Sequence, residues 1–315
     1  MARPLRICFP GAFYHITSRG NERKDIYKSN RDREKFLEYL ESAVVRYKGV
    51  IHVYCLMSNH YHLLLETPSG NLSQIMRHIN GAYTNYFNTK RKRSGHLFQG
   101  RYKAILVEMD KYAQELSRYI HLNPVRANMV ETPETYRWSS YRYYAGLMKP
   151  PEWLKIDFIL GYFGNTVAVA QKKYQQFVGQ LKTREYQSPL KDVVGSTLLG
   201  SPDFINHIKK AYLTDKPADK EIPAMSALAD DIAISDIMNQ VENEFCDGGS
   251  LARDVKIFLL KKYTRTRLKD IGILFGIVES GVSKVTTRFW NKLETDEALK
   301  KRIHKIEERL SRVKI

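Results

Sequence analysis

Two short apolar runs, Val50-Ile51-His52-Val53-Tyr54-Cys55-Leu56 and Leu63-Leu64-Leu65, stand on either side of Met57-Ser58-Asn59-His60-Tyr61-His62. Both are rich in strand formers and too short for isolated helices, so this part of the chain reads as a pair of strands. That reading fixes where the side chains go. Strand side chains alternate between faces, so His60 and His62, spaced i, i+2, lie side by side on one face and Tyr61 points into the other. Two adjacent imidazoles can share one divalent cation. The pair alone is a weak signal, because nine His scattered over 315 residues give some His-x-His about one time in four.

Around this pair the periodicity switches between two and 3.6. Phe13-Tyr14-His15-Ile16-Thr17-Ser18-Arg19 alternates as a first strand, Gly20-Asn21 turns it, and Arg19 and Arg23 lie at its end. Phe36, Leu37, Leu40, Val44 and Tyr47 recur with helical spacing behind Asn30 or Asp32 as a cap, and the helix ends near Gly49. A second helix opens at Asn71-Leu72-Ser73, carries Leu72, Ile75, Ile79, Ala82, Tyr83 and Tyr86 on one stripe, and runs into the basic loop Lys90-Arg91-Lys92-Arg93-Ser94-Gly95. Next come a strand from Tyr102 to Glu108 and a helix capped by Asp110 that carries Tyr112, Leu116, Tyr119 and Ile120. Pro124 should stop that helix, since the residue before a proline avoids the α conformation. The order strand, helix, two strands, helix, strand, helix predicts an α+β fold, a ferredoxin-like antiparallel sheet with helices on one face.

Three regions follow: residues 1–150, a helical connector over 151–249, and a mostly helical C-terminal region over 250–315. Tyr136, Trp138, Tyr141, Tyr143, Tyr144 and Trp153 read as core and packing surface before base stacking, and Pro150-Pro151 marks a boundary. Helices are expected over 166–181 and from Ser201-Pro202-Asp203 to Tyr212, with Pro at the first helical position of the latter. Residues 215–247 hold nine acids against two Lys and read as a solvated linker or surface helix. Cys8, Cys55 and Cys246 are far apart, which indicates neither a zinc ribbon nor a disulfide framework and suits a reducing cytoplasm. With no signal peptide and no apolar run near the ~18 residues of a membrane span, a soluble cytoplasmic protein is expected.

The formal charge is +17, and residues 1–150 hold 24 Lys and Arg against 12 Asp and Glu. The basic excess therefore travels with the His pair. It favours polyanions through phosphate neutralisation and counterion release, and makes nucleic acid the leading partner, with Lys90, Arg91, Lys92 and Arg93 placed to meet phosphate. In the helix that follows, Tyr119 and Asn123 share a face at i, i+4. They place together a phenol that can attack phosphorus and an amide oxygen that can ligate a metal. Asn123 as a third ligand beside the two imidazoles would leave open positions on a cation for a phosphate oxygen. The residues alone equally allow Asn123 to be a helix C-cap and Tyr119 to be one of 20 tyrosines packing a core.

Taken in order, Met57 to His62, Gly95-His96-Leu97-Phe98-Gln99-Gly100-Arg101-Tyr102, Tyr119-Ile120-His121-Leu122-Asn123-Pro124-Val125-Arg126 and Trp138-Ser139-Ser140-Tyr141 resemble the successive motifs of the REP-associated tyrosine transposases. These belong with the single-tyrosine insertion-sequence transposases and, more distantly, with relaxases and rolling-circle replication initiators. The resemblance implies a ferredoxin-like domain with His60 and His62 as metal ligands, Tyr119 as the nucleophile that becomes joined to a DNA 5′ phosphate, and Asn123 as the third ligand, where relatives also carry Gln. It implies metal-dependent nicking and strand transfer on single-stranded DNA near a hairpin, with Mg²⁺ or Mn²⁺ as the ion, although two imidazoles would also tolerate zinc. Arg19, Arg23, Arg101 and Arg126 join the basic loop as DNA contacts. A homodimer is compatible with this reading.

Leu251-Ala252-Arg253-Asp254-Val255 through Leu268-Lys269-Asp270-Ile271-Gly272-Ile273-Leu274-Phe275-Gly276 is similar to the DNA-binding domain of the bacterial chromosomal replication initiator. That domain is a Trp-repressor-like helix-turn-helix. The similarity implies a turn beginning at Gly276 and a recognition helix from Ser280 to Leu293, with Ser283, Lys284, Thr287 and Arg288 facing duplex DNA. The initiator's Arg-Asp-His-Ser run is replaced by Ile277-Val278-Glu279-Ser280, so its sequence preference should not carry over. Two rival functions stand beside the transferase. One is a DNA-binding regulator without catalysis, and the other an acid-metal nuclease using Glu66, Glu108 or Asp110.

Overall fold

In the computed structural model, which describes residues 7–180, 187–212, 233–245, 249–264 and 266–312, the chain forms two compact units, Met1–Ala224 and Met225–Ile315. In the first unit, β1 (Ala12–Arg19), β2 (Val50–Leu56), β3 (His60–Thr67) and β4 (Lys103–Val107) make an antiparallel sheet, to which the short β5 (Leu198–Leu199) adds in parallel beside β4. The order is β2-β3-β1-β4-β5. With α1 (Asn30–Tyr47) between β1 and β2 and α2 (Leu72–Lys90) between β3 and β4, the first four strands have the expected ferredoxin-like connectivity.

The central pair β1 and β3 runs in unbroken register from Ala12 opposite Thr67 to Arg19 opposite His60. Alternation then sorts the side chains. Tyr61, Leu63 and Leu65 are fully buried on one face, where the Tyr61 ring packs 4.8 Å from that of Phe36 in α1 and its hydroxyl donates to Asn80 Oδ1 of α2 at 2.7 Å. The other face carries His60, His62, Leu64 and, opposite His62, Cys55; Leu64 and Cys55 are fully buried, so this face also needs a cover. α3 (Met109–Arg126) supplies it, bringing Tyr119 against His62. Helices therefore lie on both faces, with α1 and α2 on one as expected and α3 on the other.

Three local expectations are corrected. Ser29 caps α1, its Oγ accepting from the Asp32 N–H, and the Asp32 side chain is buried in another role. Glu108, not Asp110, stands at the N-cap position of α3. Nor does α3 stop at Pro124; it continues to Arg126. Pro124 offers no N–H to the Ile120 carbonyl, and the Asn123 side-chain amide instead donates to the carbonyls of Ile120 at 3.4 Å and Tyr119 at 2.9 Å.

Pro150-Pro151 lies inside the first unit. After α4 (Tyr141–Tyr144), Leu154 bridges to Ile51, and α5 (Asp157–Leu160) and α6 (Val167–Gly179) follow. Tyr174 of α6 reaches a buried polar chain: its hydroxyl lies 2.7 Å from His121 Nδ1 and donates to Ser117 Oγ, while His121 Nε2 meets Ser140 Oγ at 2.8 Å. Burial pushes His121 down to about 3, so it stays neutral and each ring nitrogen has its partner. β5 and α7 (Pro202–Tyr212) complete the unit, the latter beginning where Ser201 meets Glu108.

Of the acidic stretch 215–247, residues 233–245 are described and contain α8 (Ile234–Glu244); the remainder lies outside the described residues. The second unit packs α8, α9 (Ser250–Tyr263), α10 (Leu268–Phe275), α11 (Glu279–Thr295) and α12 (Glu297–Arg312) around Ile237, Val255, Leu259, Ile271, Val282 and Ile306. Gly276 ends α10 at φ 65°, a left-handed conformation that glycine adopts without a Cβ penalty, and α11 begins three residues later. No helix among the described residues is long and apolar enough to cross a membrane.

Candidate active site

Three segments distant in sequence are stitched together at one end of the sheet. The Gly20 N–H donates to the Asn59 carbonyl at 2.8 Å, the Asn21 N–H to Leu97 at 2.9 Å, and the Gln99 N–H to Arg19 at 2.8 Å. Asn59 adds a side-chain bond to the Arg23 carbonyl at 2.9 Å and places its Oδ1 2.7 Å from His60 Nδ1. The turn over 20–24 is tight. A Cβ at Gly20 would lie 2.0 Å from the Lys24 carbonyl oxygen, and Glu22 and Arg23 take φ of 54° and 59°, a sparsely populated region for side-chain-bearing residues. Backbone strain is thus held beside the His pair.

The rings of His60 and His62 are 5.0 Å apart. His62 Nδ1 lies 3.0 Å from Nε2 of His15 on β1, whereas His62 Nε2 is buried with no hydrogen-bond partner. The Tyr119 ring stands edge-on to both, 5.9 Å from His62 and 6.1 Å from His15. The Arg126 guanidinium is 5.3 Å from the centre of the Tyr119 ring. Asn123, one turn beyond Tyr119, uses its amide nitrogen on the helix carbonyls, and its Oδ1 takes no hydrogen bond from a described residue.

Burial, with the Arg19 charge added, lowers His60 to about 4. Burial also holds His62 well below its ordinary value, reinforced by His15, His60, Arg19 and Arg126. Both imidazoles are therefore neutral at pH 7 and keep a lone pair, the form in which imidazole binds a metal ion. A divalent cation fits this donor set, since it would satisfy the orphaned His62 Nε2 beside a second neutral imidazole. Among the described residues no three His, Cys, Asp or Glu side chains are grouped to hold a metal ion, so a ligand set here needs an amide such as Asn123 or groups from the substrate. The acids that a nuclease would use are tied elsewhere. Glu66 lies 3.1 Å from His52 Nε2, Glu108 accepts from the Ser201 N–H and hydroxyl, and Asp110 accepts from Tyr162.

The basic loop divides into two halves. Lys90 and Arg91 both pair with the fully buried Asp32, which also accepts from the Lys28 N–H at 2.9 Å and the Tyr86 hydroxyl at 3.1 Å. Lys92 is exposed, and Arg93 is exposed while donating to the His96 carbonyl at 3.1 Å. Arg19, Arg23, Arg101 and Arg126 are exposed. In the second unit Lys284 and Thr287 are exposed, Ser283 is half-buried, and Arg288 pairs with Asp254 at 2.7 Å.

One residue of the site escaped the sequence reading. His15 is visible there as a strand residue, but its contact with His62 spans 47 positions and follows only from the β1–β3 register.

Residues 8–123 match the family model described as IS200-like transposase, a span that takes in His15, His60, His62, Tyr119 and Asn123. Among solved structures, one described as a REP-associated tyrosine transposase bound to a REP hairpin is similar at 16% identity and a TM-score of 0.41, over 53% of this chain and 93% of that chain. No curated protein sequence matches the chain.

Proposed function

We propose that the protein, whose residues 8–123 match the family model described as IS200-like transposase, is a DNA strand transferase that nicks single-stranded DNA at hairpin, REP-like sites through a 5′-phosphotyrosine on Tyr119. The observation that carries this reading is the meeting of two neutral imidazoles, His60 and His62, with one phenol, Tyr119, edge-on to His62. His60, His62 and Asn123 would hold a Mg²⁺ or Mn²⁺ ion, which supplies Lewis-acid polarisation of the scissile phosphate when bound.

The chain's own residues do the rest. Tyr119 Oη gives up its proton and forms the new bond to phosphorus, the bond from phosphorus to the 3′ oxygen breaks, and that oxygen takes up one proton, so the proton count is unchanged overall. The products are a free 3′ hydroxyl and a 5′ phosphate ester of Tyr119. Attack by another 3′ hydroxyl reverses the step and rejoins DNA without ATP, because the ester conserves the energy of the phosphodiester. Arg126, beside the Tyr119 ring, and Arg19, opposite His60, bring positive charge to a phosphate at this place. The strained 20–24 turn and the Gln99-to-Arg19 bond fix the end of β1 that carries Arg19.

The test uses hairpin DNA with a single-stranded flank, labelled separately at each end, with Mn²⁺ present. One fragment is expected with a free 3′ hydroxyl and the other attached to protein. Cleavage releasing both fragments free would reject Tyr119 chemistry, and tight binding with no cleavage would favour a regulator that lost it.

A further inference from the structure

We propose that His15 is a positioning residue of the site, holding His62 in the tautomer whose proton sits on Nδ1 so that Nε2 presents a lone pair. This deepens the function proposed above and rests on it only where metal binding is concerned. A ring nitrogen lies about 1.1 Å from its ring centre, so a 3.0 Å contact between rings 5.2 Å apart and within 4° of parallel is an edge-to-edge hydrogen bond in nearly one plane, not a stack.

Such a bond admits two proton placements. Either His62 Nδ1 donates to His15 Nε2 and leaves a lone pair on His62 Nε2, or His15 donates and His62 carries its proton on Nε2, where it cannot ligate. Counting buried orphans does not separate them. His62 Nε2 and His15 Nδ1 both lack partners, so each arrangement leaves one bare donor and one bare acceptor.

The charge around the pair does separate them. Arg19 stands opposite His60, and Arg126 lies beside the Tyr119 ring that meets His62. Positive charge beside His60 and Tyr119, two rings that His62 meets, favours a lone pair on Nε2 over an N–H dipole there. A histidine ligand ordinarily donates its second N–H to a carboxylate, a backbone carbonyl or water, which fixes its tautomer and raises its basicity. Here a second imidazole, fixed in the centre of the sheet by the β1–β3 register and itself edge-on to Tyr119, takes that part. His15 acts through His62, with no contact to DNA required.

The full chain, metal-free, is examined by ¹⁵N NMR of its histidine rings, and Mn²⁺ affinity is measured by calorimetry, for the wild type, His15→Phe and His15→Gln. His62 in the wild type is expected to carry its proton on Nδ1. His15→Phe is expected to lose that preference and to bind Mn²⁺ about 10–100-fold more weakly, whereas His15→Gln, whose amide oxygen can accept from Nδ1–H, stays near wild type in both. A wild-type His62 protonated on Nε2 would overturn the proposal, as would His15→Phe binding Mn²⁺ as tightly as a wild type that does bind it. Should His15→Phe fail to fold, the wild-type tautomer and the Gln variant still decide. A wild type protonated on Nδ1 that binds no Mn²⁺ would support the role of His15 while removing the metal from the proposed function.

Discussion

Replacing Asp32 by asparagine tests whether half of the basic loop is part of the fold. The Asp32 carboxylate is fully buried yet receives Lys90, Arg91, the Lys28 N–H and the Tyr86 hydroxyl. Burial alone would raise its pKa; the hydrogen bonds from Lys90, Lys28 and Arg91 and the Arg91 charge outweigh that and hold it at about 2, against an ordinary 3.8. A folded-state pKa below the unfolded one contributes stability that is complete above about pH 4 and lost as pH falls through about 2. The difference corresponds to about 2 kcal/mol at pH 7, and an asparagine amide facing two cations adds to the loss, so Asp32→Asn should cost about 2–3 kcal/mol. With a urea dependence of about 2 kcal/mol per M, the midpoint should fall by about 1 M at pH 7. The variant should also lose part of the wild-type decline in stability between pH 4 and pH 2. Equal urea midpoints at pH 7, or the same acid decline in both proteins, would refute the pairing as a stabilising element.

Other outcomes follow from the same geometry. Tyr119→Phe should keep fold and DNA binding and abolish nicking, read by gel assay; Tyr112, two turns earlier, is buried and should not substitute. His60→Ala should abolish metal-dependent nicking with little loss of stability, while His62→Ala, which also strips the buried His15 of its partner, should lose nicking and about 1–3 kcal/mol in urea denaturation. A chain ending at Ala224 keeps the whole first unit and should still nick hairpin DNA, whereas one ending near Pro150 loses β5 and the Tyr174 bonds to His121 and Ser117 and should be measurably less stable. Lys92→Ala should lower the salt dependence of DNA binding by about one unit of slope, and Arg91→Ala should act mainly on stability, as binding measured across a salt series will tell.

What the sequence made legible was local. Period two placed His60 and His62 on one face, and period 3.6 placed Tyr119 and Asn123 one turn apart, because both relations are set within a few residues by backbone geometry. The alternation of strands and helices likewise gave the ferredoxin-like order. What stayed hidden depends on distant pairing. His15 reaches His62 through strand register, and Lys90 and Arg91, which read as phosphate contacts, meet an acid 58 and 59 residues away. β5, two residues long, is too short to show a period. The run of α3 through Pro124 depends on a side chain, Asn123, replacing a backbone donor, which spacing rules do not anticipate.

Tyrosine-mediated strand transfer is tested most directly by the identity of the residue joined to DNA. Labelled single-stranded hairpin DNA is incubated with the full chain and Mn²⁺, the mixture is denatured and digested with protease, and the DNA-bearing peptide is sequenced by mass spectrometry. A denaturation-resistant adduct on Tyr119 is expected, absent from Tyr119→Phe and formed only with the metal ion; an adduct on another residue, or DNA cut with no adduct at all, would contradict phosphotyrosine chemistry at Tyr119.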